Sequence, residues 1–352
     1  MTLSFPARSI FMLLISISLP LFASQFDNPY QGNIIVEQQS ENVLKELALK
    51  QVLVKVSGNA QITALPESKL LLKKAQRLLS QYGYKALKNE HFFSAVFDKR
   101  KINQALKDMQ QPIWGDTRPT TLIWLIKDGD DSDRQLVSDN MINTSSDSAL
   151  STAVQNRQHN RGIILQFPLM DLEDNLALSM SDIAGRFYDP IAIASVRYYV
   201  THFIVASLKQ SSAEKWSLDW QLVKYSQHNK LNEVLLSGNT SGQKSLLVSA
   251  MVNQVADYYA SRYAILEKQG EKFSQTIYVN GINSLAKLTE LNTLLANLLA
   301  ISSFQFVTVE GQQVTVKITI NGGLNSFNNS LAEQLNLRPD FSLSDQRHFN
   351  WH

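Results

Sequence analysis

The chain has 352 residues, of which 44% are hydrophobic and 18% charged, with no cysteine and a formal charge of +2. These values exclude an extensively disordered chain and a polytopic membrane protein, and the charge balance is too small for a general nucleic-acid binder. The missing cysteines remove disulfides, thiolate zinc sites, iron–sulfur clusters and cysteine nucleophiles together.

Residues 1–23 carry one cation, Arg8, then the apolar run Ile10–Phe22 and the small residues Ala23 and Ser24. This is the layout of a Sec-type signal peptide, expected to be cleaved after Ala23. The run is shorter than the roughly 20 helical residues that a bilayer core requires, and QFDNPYQGN follows in place of a basic flank. Without a lipobox cysteine, the expected product is a free periplasmic protein with no transmembrane span.

Residues 24–110 read as an N-terminal α+β module of order β-α-α-β-α. GNIIVEQQ is strand-like, and Val43, Leu44, Leu47, Ala48 and Leu49 begin an apolar helical face that Gly58 stops. Pro66 opens a second helical stretch through ESKLLLKKAQRLLSQYGY. HFFSAVF is a strand, and DKRKINQALKDM a short helix.

The turn-rich QQPIWGDTRP marks the start of a central α/β domain, 111–266, expected as a sheet with flanking helices. TTLIWLI reads as a buried strand, and 128–148, dense in Asp, Ser and Asn, as a long exposed acidic loop. Helices are expected over Ala149–His159, LMDLEDNLAL, IAIASVRYYV and Ser245–Arg262. RGIILQFP, HFIVASL, KWSLDWQL and NEVLLSG read as strands, the third alternating Trp216, Leu218, Trp220 and Leu222 with polar residues. A third module, 271–340, has the β-α-β-β-α order of a ferredoxin-like unit, followed by a polar tail, 341–352.

No complete catalytic motif emerges. Asp128, Asp130 and Ser132 alternate as in a calcium loop, but the Gly and Glu that such a loop needs are absent. GNTSGQKS has the context of a phosphate loop with the wrong spacing and reads as a helix-capping turn. S-x-x-K and S-D-N occur in an order that defeats a penicillin-recognising serine site. No catalytic residue, metal ligand or cofactor is therefore assigned. The remaining candidates are polar groups flanking central strands, Asp116, Arg118, Arg157, Arg161 and Arg197, together with the acidic cluster of Asp171, Glu173 and Asp174, which reads first as helix-dipole charge in a first turn after Pro168 and second as a metal or acid–base site. Arg157 and Arg161, four apart, can share a helical face and meet the DLED carboxylates, either as a structural ion-pair network or as a ligand or partner site.

VLVKVSG, QYGY, WGDTRPTTLIWL, RGIILQFPLMDLED, IASVRYY and KWSLDWQL follow one another as in a family of exported proteobacterial proteins, domain-of-unknown-function two-zero-six-six. The resemblance runs to about Tyr263, and YVNGINSLAKLTELNTLL also looks similar. It implies export and this segmentation, with no activity attached, and makes Trp114, Arg118, Arg161, Pro168, Asp171, Asp174 and Arg197 the positions of interest without giving any a role. The expectation from the whole sequence is a non-catalytic accessory or assembly factor with an envelope-protein partner. The competing readings are a periplasmic hydrolase using Asp171 or Asp174, and a small-ligand or peptidoglycan-binding protein.

Overall fold

Three sheets, each with its own helices, follow one another along the chain. The computed structural model describes residues 28–352 except 88–89, 116–117, 130–131, 145–146, 213, 227–229, 267–272, 333, 335, 341 and 343–346. The leader and Asp116 and Asp130 therefore lie outside the described residues. The fold is mixed α+β, with twelve α-helices among the described residues.

The first module contains β1 (Gln31–Ile35), α1 (Glu41–Ser57), α2 (Pro66–Leu72), α3 (Ala75–Leu78), β2 (Leu79–Leu87), β3 (Glu90–Phe97) and α4 (Lys99–Asp108). The strands form an antiparallel sheet in the order β1-β3-β2. Helix α1 buries Leu44, Ala48, Leu49, Val52, Leu53 and Val56 against it, the i, i+4, i+8 stripe expected of a core-facing helix. Strand β2 corrects the sequence reading, which ran one helical stretch through Tyr84. From Gln81 to Lys85 the side chains repeat with period two, and the rings of Tyr82 and Tyr84 both contact Phe93 across the strand pair. Cross-strand packing decides the conformation where the helical repeat ends.

The central sheet has the order β5-β4-β7-β8-β9. Its elements are β4 (Thr120–Gly129), β5 (Ser132–Leu136), α5 (Asp139–Asn143), α6 (Ser148–Arg161), β6 (Ile164–Gln166), α7 (Leu172–Ala177), α8 (Met180–Gly185), α9 (Tyr188–Val196), β7 (His202–Gln210), β8 (Trp216–Ser226), β9 (Leu231–Gly242) and α10 (Lys244–Tyr263). Strand β4 is parallel to β7 and β6, while β7, β8 and β9 form an antiparallel meander. Helices cover both faces. Ile123, Leu125, Trp216, Leu218 and Trp220 face the side of α6 and α10, and Leu122, Trp124, Phe203 and Val205 that of α8 and α9. The near-continuous apolar run of β4 follows from this double burial.

Two segments differ from expectation here. The 128–148 stretch is not one exposed loop: it holds β5 and α5, anchored by buried Val137 and Ile142, and Ser138 caps α5. GNTSG is not a capping turn but the end of β9, paired from Gly238↔Trp220 to Gly242↔Trp216, and α10 starts only after Gln243.

The third module comprises β10 (Phe273–Asn280), α11 (Leu285–Asn297), β11 (Ile301–Glu310), β12 (Gln313–Ile320), α12 (Gly323–Ala332), β13 (Leu337–Pro339) and β14 (His348–Trp351). Strand order is β11-β12-β10-β14-β13. The expected β-α-β-β-α unit is present and is extended by a hairpin whose second strand runs parallel to β10. The supposed polar tail is thus partly a strand. Phe349 and Trp351 alternate with polar neighbours and are buried, which anchors the chain end in the module core.

Candidate functional site

The candidate residues separate into two clusters and one groove. In the first cluster, the C-termini of α1 and α6 converge. Both helices end on glycines in the left-handed region, Gly58 at φ 70° and Gly162 at φ 65°, as C-terminal caps require. A Cβ on Gly58 would stand 2.4 Å from that of Ala260 on α10, so close helix approach also demands glycine there. The exposed carbonyls of two helix C-termini make this a region of partial negative charge.

Two buried arginines occupy it. Arg118 donates through Nε to the Gly115 carbonyl at 3.1 Å, through Nη1 to Gly162 at 2.7 Å, and through Nη2 to Lys55 at 2.8 Å and Trp114 at 3.0 Å. Its guanidinium lies 4.0 Å from the centre of the Trp114 ring. Arg161 donates to the Gly58 carbonyl at 3.1 Å, to Asn253 at 3.1 Å and to Asp257 at 2.5 Å. Trp114 is fully buried, and its amide donates to Val56. Ile113 forms a two-hydrogen-bond bridge with Ile265, and Gly115 contacts Leu299 of the third module. All three modules therefore meet at Ile113, Trp114, Gly115 and Arg118. The Arg118 donors go to carbonyls of the chain itself, and Arg161 uses Nη1 and Nη2 in the same way while its Nε is buried without a hydrogen bond among the described residues.

The expectation that Arg157 and Arg161 jointly meet the DLED carboxylates is corrected. Arg161 turns to Asp257 because α6 packs along α10. Arg157 instead lines a 540 Å³ groove between those two helices, with Ser148, Thr152, Asn156, Ser245 and Ser249.

The DLED carboxylates meet Arg197, immediately after α9. Asp171 caps α7 by accepting from the Asp174 amide and pairs with Arg197. Asp174, with 1% of its side chain exposed, accepts from Arg197 at 2.7 Å, from the Met170 amide at 2.8 Å and from the Tyr198 hydroxyl at 2.5 Å. Glu173 reaches Arg197 at 3.3 Å. The Arg197 hydrogen bond, aided by the Asp174 amide, holds the Asp171 carboxyl down at about 2, and Asp171 in turn pushes the guanidinium up. Burial, then the bond to Asp174, raises Tyr198. Both carboxylates accept donors from the segment that follows α9, an arrangement that locks α7 onto α9 as a clamp.

Two polar features escaped sequence reasoning. Asp147 caps α6 and receives Lys127 at 2.8 Å and Lys244 at 2.9 Å. Burial opposes its ionisation, but hydrogen bonds from both lysines and the Leu150 amide outweigh that and lower its carboxyl. The only sequence signal is a lysine ending an apolar strand. His202 is buried against Tyr259, whose hydroxyl is 2.6 Å from that of Thr121; burial, with the charge of Lys224, pushes the imidazole down to about 3. Among the described residues, no group of three His, Cys, Asp or Glu is placed to hold a metal ion, and no helix is long and apolar enough to cross a membrane.

The family described as Domain of unknown function (DUF8605) matches residues 23–115, the first module together with Trp114 of the joint. No curated relative matches the chain. Two dodecameric PelC structures from Paraburkholderia phytofirmans, one of them a point variant, are each 6% identical to it. They cover 42% and 41% of this chain and 91% and 89% of their own, with TM-scores of 0.24 and 0.23.

Proposed function

We propose that this chain is an exported periplasmic protein that binds other cell-envelope components as a non-catalytic accessory or assembly factor. The export part rests on the leader at 1–23 and on the motif resemblance to the exported family two-zero-six-six, which belongs to the same proposal. The binding part is carried by the large apolar side chains left in solvent on α7 and α9. Leu172 is 75% exposed, Leu176 79%, Ile193 68%, and Tyr199 beyond α9 90%. Isolated exposed hydrophobes are ordinary, but a group of them on two neighbouring elements, rimmed by charge, marks an interaction surface. Arg118 and Arg161 bind the ends of α1 and α6, and Arg197 with Asp171 and Asp174 holds α7, which gives such a surface a rigid support. Crosslinking in intact cells, followed by capture of the tagged chain, tests the proposal. A reproducible partner is expected; nothing above the untagged background counts against it.

A further inference from the structure

The surface around α7, α8 and α9 has a charge, a fixed shape and a backbone that together specify what it accepts. Residues 169–199 carry Asp171, Glu173, Asp174, Asp182 and Asp189 against Arg186 and Arg197, without a lysine, in a chain whose overall balance is +2. Asp174 is buried, whereas Asp171, Glu173 and Asp189 are exposed; Arg197 is one guanidinium shared by Asp171, Glu173 and Asp174, so negative charge remains in excess around Leu172. The apolar residues form ridges: Leu172 and Leu176 are four apart on α7, Ile193 and Val196 three apart on α9, and Arg197 ties the two helices together. Phe187 and Met180 extend the apolar region along α8.

The backbone supplies an independent observation. Met170, Arg186 and Tyr199 have φ of 56°, 56° and 55°, three of the five non-glycine residues with positive φ among the described residues. Each adjoins, or is, an exposed hydrophobe: Leu169, Phe187 and Tyr199 itself. Arg186 is the left-handed cap that ends α8, whereas Met170 and Tyr199 lie outside the helices in a conformation that L side chains rarely adopt and that recurs at binding sites. Here the surroundings enforce it. Asp174 receives the Met170 amide, the Tyr198 hydroxyl receives the Leu169 amide, and the Ser179–Asp182 capping box fixes the start of α8.

We propose that the α7–α9 surface docks an amphipathic helix of an envelope protein, its apolar face seated on Leu172, Leu176, Ile193 and Tyr199 and its flanking lysines or arginines meeting the acidic rim. This rests on the binding function proposed above and adds the chemistry of the partner. Paired helical ridges seat a third helix by ridge-into-groove packing. The acidic rim disfavours the other occupants. Anionic lipid headgroups would meet charges of their own sign, and an isologous pairing of two copies would set the same carboxylates against one another.

The test titrates the full-length protein with three synthetic helices that share a Leu/Ile face and differ only in Lys, Ser or Glu flanks. Binding is read by fluorescence anisotropy at about 50 and about 300 mM salt. The Lys-flanked helix is expected to bind about tenfold or more tighter than the Glu-flanked one and to weaken at the higher salt. The combined Leu172→Ser and Ile193→Ser variant, altered only at exposed positions, is expected to melt like the parent and to lose about tenfold in affinity. Equal affinity for all three helices, or binding indifferent to the variant, overturns the proposal. So does preferential binding to phosphatidylglycerol vesicles, or a dimer that the variant dissociates. In-cell crosslinking with the same variant separates the two levels. A partner captured equally by parent and variant removes this surface and leaves the binding function standing; a parent that captures nothing removes the binding function itself.

Discussion

Replacing Arg118 with alanine should loosen the joint of the three modules. The side chain donates four hydrogen bonds to the carbonyls of Gly115, Trp114, Lys55 and Gly162 and stacks on Trp114. Hydrogen bonds from a charged donor contribute about 1.5–3 kcal/mol each, but bonds sharing one guanidinium are not additive. Removing the guanidinium leaves buried carbonyl acceptors unsatisfied, at about 1–3 kcal/mol apiece but not additively, and loss of the stack adds about 1 kcal/mol. The expected destabilisation is therefore about 4 kcal/mol, a large share of the roughly 5–15 kcal/mol that holds a typical domain folded. Lysine keeps the charge but not the fork, so Arg118→Lys should still lose about 2 kcal/mol. Urea denaturation followed by tryptophan fluorescence measures both, with Trp114 as a reporter inside the joint. Arg118→Ala combined with Arg161→Ala should depart from additivity by about 1 kcal/mol or more, since both serve the convergent ends of α1 and α6. A loss below about 1 kcal/mol for Arg118→Ala would refute the joint as a source of stability.

The second cluster and two buried positions give further expectations. Asp174→Ala removes the acceptor shared by Arg197, Tyr198 and the Met170 amide, and should cost about 3 kcal/mol while releasing α7 to hydrogen exchange; unchanged protection of α7 amides would contradict the clamp. His202 titrates near 6.5 when unfolded and near 3 when folded, so the unfolded chain binds the extra proton between those values. Its contribution is complete above about pH 6.5 and falls by about 1.4 kcal/mol per pH unit as the pH drops toward 3. His202→Phe should flatten that slope between about pH 6.5 and 4.5, and an identical slope in the variant would show that other groups carry it. Gly58→Ala must tolerate a left-handed backbone and a Cβ 2.4 Å from Ala260, and should cost about 2–3 kcal/mol by thermal or urea melting. A neutral result would mean that α1 and α10 can move apart.

Much of the architecture is written in local repeats. The period-two alternation of β8, the apolar stripe of α1, the double-sided run of β4 and the glycine stop at Gly58 each act over one or two turns or a few strand residues, so the sequence by itself determined these elements and their order. It also singled out Trp114, Arg118, Arg161, Asp171, Asp174 and Arg197 as noteworthy polar and aromatic positions. It was least informative where a repeat changes within one segment, as at Gln81–Lys85, or where two apolar residues anchor a polar stretch, as Val137 and Ile142 do.

Only the tertiary structure decided what those residues touch. Arg118 reaches a carbonyl 63 positions away and Arg161 one 103 positions away, so their partners depend on how α1, α6 and α10 are stacked. A heptad-scale pattern contains no information about that stacking. The same holds for the exposed ridge of α7 and α9. Leu172, Leu176 and Ile193 look like core residues in the sequence, and they are in solvent because Asp174 and Arg197 dock the opposite side of α7 and leave this side uncovered. Periodicity announces that a helix has an apolar face; the remaining packing determines whether the chain covers that face itself or leaves it for another molecule.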